Sequence, residues 1–131
     1  MTSEQITFIQ KRQTISQIIW AVVVVYQLIA GIVTCCGGFW HIIPGLFLFC
    51  MGLWNTGRLI YHIILYPKLN ADPQKLCHYW SVKLVRLIIA LFLNFFIGGI
   101  FGAAAVIHDI TLCVYVRENS TAGSDESTAG Q

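Results

Sequence analysis

The sequence predicts an all-α, multi-pass helical membrane protein, and three observations carry that prediction. Only 11% of its 131 residues are charged and 56% are hydrophobic, against about 25% charged in an ordinary soluble domain. The apolar residues are gathered into long runs, each near or above the roughly 20 residues a helix needs to span a bilayer. Glycine pairs and charged boundaries punctuate those runs where turns are needed. The expected architecture is two transmembrane hairpins, with helices over about 3–36, 40–66, 73–97 and 100–117. Residues 1–117 then form one helical membrane domain, and 118–131 a disordered polar tail. Three spans are the alternative.

Residues 2–14 are polar and helix-compatible, with Thr2 or Ser3 as N-cap. Lys11 and Arg12 mark a membrane boundary. From Ile15 to Cys36 the run ISQIIWAVVVVYQLIAGIVTCC carries no charge. Within it Trp20, Gln27, Gly31 and Thr34 follow helical spacing, so that face is expected to meet other helices. The run is longer than a signal-peptide h-region and no A-x-A site follows it, so it reads as a retained span.

Gly37-Gly38 breaks the run, and Phe39, Trp40, His41 and Pro44 follow. Paired glycines are unfavourable inside a helix and tryptophan is enriched at membrane interfaces, so a tight turn is expected at the far surface. The second run extends from Phe39 to Tyr66, before Pro67 and Lys68. Asn55, Arg58 and His62 stand at i, i+3 and i+7 and form a second polar face. Arg58 lies about 27 Å along this helix, near enough to the interface for its side chain to snorkel.

Residues 67–79, PKLNADPQKLCHY, make the central polar loop. Asp72-Pro73 is a helix start, with aspartate as the cap and proline at the first helical position. The helix it opens enters the membrane with Lys83 and Arg86. As one helix, Lys83–Val116 would be about 50 Å long, against a hydrocarbon core of about 30 Å. A turn at Gly98-Gly99 resolves the excess. It also repeats the punctuation of the first hairpin, CCGGFW at 35–40 against FIGGIF at 96–101. All eight Lys and Arg residues then point towards one side, as the positive-inside tendency requires.

Folding about Gly98 brings Arg86 and Asp109 to similar depth, each about 16–18 Å from the turn. Asp109 shares its face with Gly98, Gly102 and Ala105, small residues that admit a close neighbour. Lys83, Arg86, Ala90 and Asn94 form the opposing stripe. The expectation is an Arg86–Asp109 ion pair, with His108 and Asn94 beside it. Its bland reading is a clamp that fixes helix register; its functional reading is a proton or cation site including His108 and Gln27.

The residues GGIFGAAAVIHDITLCVYV, 98–116, resemble the closing helix of small bacterial TM2-like membrane proteins, in which glycines, apolar residues and an aspartate recur. Residues 1–80 show none of that pattern, and no fold or residue role is carried over from it.

No catalytic residues, cofactor or metal are expected. The five cysteines show no CxxC or zinc spacing, and the adjacent Cys35 and Cys36 are poorly placed to reach one tetrahedral centre with His41. No nucleophile–base motif or phosphate loop appears. A net charge of +2 gives no reason to expect nucleic acid. The expected role is a non-enzymatic accessory, assembly, immunity or scaffold protein in the lipid bilayer of a bacterial cell, termini cytoplasmic, with a membrane-protein partner or self-association. The alternative is a subunit of a homo-oligomeric channel or transporter using Arg86 and Asp109.

Overall fold

The computed structural model describes residues 2–128, with side chains through residue 120. Among them are five α-helices and no strand: α1 Ser3–Cys35, α2 Phe39–Asn70, α3 Pro73–Ser81, α4 Leu84–Leu93 and α5 Gly99–Thr128. A π-helical turn, Asn94–Gly98, joins α4 to α5. Three stretches are long and apolar enough to cross a membrane: Ser3–Cys35, Phe39–Asn70 and Leu84–Ser120.

Local chemistry explains where the helices begin. Thr2 Oγ1 accepts the Gln5 N–H at 3.3 Å, and Gln5 Oε1 accepts the Thr2 N–H at 2.9 Å, the reciprocal pairing of a capping box. Asp72 Oδ1 accepts the N–H groups of Gln74 and Lys75 at 3.1 and 3.3 Å, with Pro73 opening α3. Gly38, at φ 116°, makes the turn between α1 and α2 in a conformation that a side chain disfavours.

α1 and α2 approach at backbone distance. A Cβ on Gly31 would lie 2.7 Å from the Phe49 amide nitrogen, and one on Gly45 would lie 2.6 Å from that of Cys35. Such contact is typical of helices packed through small residues in lipid. α2 continues through Pro67 to Asn70, past its expected end at residue 66. Proline removes one backbone donor, and burial of Tyr66 and Leu69 keeps the last turn against the core.

The third expected helix, 73–97, is not continuous. It breaks at Val82–Lys83, where the Trp80 carbonyl accepts the Lys83 N–H at 3.3 Å and the Cys113 thiol at 2.8 Å. The break turns the Lys83 ammonium inwards. α5 in turn runs to Thr128, so residues 118–128 are helical where a disordered tail was expected. Gln5 Nε2 donates to Asn119 Oδ1 at 2.8 Å, which ties α5 at Asn119 to the start of α1. Residues 129–131 of that expected tail lie outside the described residues.

The outside of the molecule is apolar and much of its inside is polar. Val22, Val33, Phe47, Ile64 and Phe96 are exposed, while Gln13, Ser16, Gln27, Asn55, Asn94 and Asp109 are buried. Apolar surface on this scale requires a non-aqueous surrounding. The apolar core, built around Trp20, Tyr66, Leu76, Trp80, Leu87 and Val106, draws on all five helices.

Candidate functional site

The buried polar groups fall into two layers along the helix axes. The first is centred on Asp109, whose side chain is fully buried. Ser16 donates its hydroxyl to Oδ1, and Trp20 Nε1 donates to Oδ2 at 2.9 Å. Both donors come from α1, so the carboxylate joins α5 to α1. His108 Nδ1 stands 3.8 Å from Asp109 Oδ1, beyond hydrogen-bond reach, and neither ring nitrogen of His108 has a partner.

The expected Arg86–Asp109 contact is not formed. Arg86 is exposed and takes part in no ion pair among the described residues. The pairing assumed one unbroken helix from residue 73 to the turn. The π-helical turn, the irregularity between Arg86 and Gly98, alters the phase of that arm; Lys83 is buried and Arg86 is exposed. Buried as it is, Lys83 forms no ion pair with Asp109.

Lys83 is itself enclosed by aromatic rings. Its ammonium donates to the Tyr79 hydroxyl at 2.7 Å and lies 3.2 Å from His62 Nε2. The rings of Tyr79 and Trp80 each stand 4.6 Å from it, a cation–π arrangement. His62 stacks on Tyr66 with centroids 5.0 Å apart. Arg58 places its guanidinium 4.8 Å from the Trp20 ring, the same indole that bonds Asp109.

The second layer is a cluster of amides. Asn55 Nδ2 donates to Gln27 Oε1 at 2.9 Å and to Asn94 Oδ1 at 3.1 Å. Gln27 Nε2 donates to the Gly98 carbonyl at 2.9 Å, and Asn94 Nδ2 closes on the Ala90 carbonyl at 2.9 Å. Glycine makes the room. A Cβ on Gly98 would stand 2.6 Å from Gln27 Nε2, and one on Gly102 would stand 2.5 Å from Asn94 Oδ1. The GxxxG pair thus accommodates side-chain amides, and Ala105 lies in the apolar core beyond it.

The second polar face, Asn55, Arg58 and His62, is therefore divided among neighbours. Asn55 joins the amides, Arg58 lies on Trp20, and His62 meets Lys83. Asn94, expected beside Asp109, belongs to the amide layer. Ser16, Trp20 and Tyr79 were not singled out as partners. Ser16 and Trp20 lie one helical turn apart on α1 and so share a face, but nothing local names the residue opposite.

Buried polar atoms also remain unpaired. Both side-chain atoms of Gln13, the Tyr66 hydroxyl and Trp80 Nε1 have no hydrogen-bond partner. Among the described residues no three His, Cys, Asp or Glu side chains converge on a metal-sized site. No protein-family model, curated protein or solved structure matches this chain.

Proposed function

We propose that this chain is a small multi-pass integral membrane protein with a non-enzymatic accessory, assembly, immunity or scaffold role. It offers its outer helix faces to a membrane-protein partner or to a second copy. One observation carries the reading: Asp109, the acidic residue within the apolar runs, is fully buried and bonded to Ser16 and Trp20. A buried carboxylate held this way fixes which face of α5 meets α1, a register role. Its burial and its two bonds to α1 support that structural role.

The proposed topology is two hairpins, with both termini on the cytoplasmic side of a bacterial cell membrane. The Cys113–Trp80 contact, and the approach of Gly102 to Asn94, support a reversal of the chain about Gly98-Gly99. Gly99, at φ 76°, supplies a backbone conformation suited to that reversal. The distribution of Lys and Arg supports the orientation.

Native mass measurement and crosslinking of the full chain in lipid test the role. A stoichiometric heteromeric partner is the expected result. A homo-oligomer that conducts protons in liposomes, with flux abolished by Asp109→Asn, would replace this reading with the channel.

A further inference from the structure

We propose that the groove between α2 and the α3–α4 junction binds the phosphate of an anionic glycerophospholipid. The groove encloses about 450 Å³ and is lined by Arg58, Lys83 and Arg86 together with Trp54, Tyr61 and Val82. None of its three cations forms an ion pair among the described residues. Asp109 does not line the groove; it is buried and bonded to α1. The inference rests on the membrane reading and is independent of the accessory role.

Charge balance points to an external anion. No carboxylate pairs with Arg58, Lys83 or Arg86 among the described residues, and three like charges lining one groove repel one another. Depth points to the membrane as its source. Arg58 rests on Trp20, which lies about 12 Å along α1 from Arg12 at 1.5 Å per residue. That is below the headgroup layer but within reach of a phosphate met by snorkelling side chains.

The chemistry of the walls completes the fit. Two guanidinium groups can each present paired N–H donors to phosphate oxygens, with the Lys83 ammonium behind them. Trp54, Tyr61 and Val82 are exposed at the mouth, where apolar surface suits acyl chains and aromatic rings suit the interface. Basic pockets between transmembrane helices recognise anionic headgroups by this combination.

The test uses the full chain in nanodiscs of phosphatidylcholine carrying graded phosphatidylglycerol, with bound lipid counted by native mass spectrometry. Wild-type protein is expected to retain phosphatidylglycerol over phosphatidylcholine. Arg86→Gln and Arg58→Gln should each weaken retention roughly fivefold, the effect of one basic residue at the surface. Lys68→Gln, outside the groove, should change nothing. Arg86 is exposed, so its variant should keep the wild-type melting temperature while losing lipid. Equal retention of lipid by both arginine variants would overturn the proposal. Displacement of the lipid by millimolar inorganic phosphate would overturn it in favour of a soluble anion. Crosslinking of the groove to an acidic partner segment that excludes lipid would overturn it in favour of a protein ligand.

Discussion

Trp20 Nε1 donates to the Asp109 carboxylate at 2.9 Å, and the same indole ring carries the Arg58 guanidinium on its face. One side chain of α1 therefore organises contacts to both α2 and α5. Its edge satisfies an anion and its face a cation, as the polarity of an aromatic ring permits.

Removing that acceptor should be costly. Asp109→Leu strands the Ser16 and Trp20 donors in a buried place, at about 1–3 kcal/mol for each. Asp109→Asn keeps an oxygen for Trp20 and offers its amide to the Ser16 hydroxyl, so it should lose much less. Thermal melts in detergent should rank wild type, then Asn, then Leu. Equal melting of the two variants would remove the register role from Asp109.

Arg86 makes the complementary case. It is exposed and does not contact Asp109, so Arg86→Gln should change stability by no more than about 0.5 kcal/mol. A double-mutant cycle with Asp109→Asn should show additivity. Strong coupling between the two would restore the ion pair that the structure lacks.

The amide layer predicts a contrast between two glycines. A methyl group at Gly102 would stand 2.5 Å from Asn94 Oδ1 and 3.0 Å from Gln27 Nε2, in a network with little freedom to move. Gly102→Ala should cost about 1–3 kcal/mol. Gly57 meets nothing within 4 Å, so Gly57→Ala should be neutral or stabilise by up to about 1 kcal/mol. Parallel melts of the two variants measure the difference.

Under the proposed topology the two hairpin tips differ in depth. Gly98 lies beside Gln27, and Gln27 precedes Gly37 by about 15 Å of helix. A membrane-impermeant maleimide added from the far side should label Cys36, which is exposed at the first turn. It should label Ile100→Cys far more slowly, because the second tip sits deeper. Equal labelling would place both turns at the surface. In a eukaryotic expression system, glycosylation at Asn119 within Asn119-Ser120-Thr121 would contradict a cytoplasmic C-terminus.

The start of α3 should respond to acid. The Lys75 side chain bonded to Asp72, at 3.1 Å, and the N–H groups of Lys75 and Gln74 hold its carboxyl below the usual carboxylate range. A carboxyl depressed in the folded state contributes stability above its unfolded pKa of about 3.9. That contribution is lost as pH falls through the folded value. Amide NMR shifts of Gln74 and Lys75 should follow this titration together, and Asp72→Ala should abolish it.

Much of the architecture was legible because it depends on local chemistry. Length, apolar runs and sparse charge specify helices in a membrane, since lipid requires backbone groups to bond within their own segment. Thr2, Asp72-Pro73 and Gly37-Gly38 mark helix starts and a turn through bonds made within a few residues. The inward face of α1, through Trp20, Gln27, Gly31 and Thr34, follows from helical spacing; the first three are buried and Thr34 is half-buried.

The partners of that face were decided by tertiary structure alone. Counting equal arms from Gly98 placed Arg86 opposite Asp109, but helix phase decides which side chain points inwards. The π-helical turn changes that phase, and the break at Val82–Lys83 comes just before Lys83, which is buried. Both depend on groups distant in sequence, among them the Cys113 thiol on the Trp80 carbonyl and the Asn94 amide among Gln27 and Asn55. The polar residue types thus announced that costly groups would be buried, while packing chose Ser16 and Trp20 for Asp109 and left Arg86 to the groove.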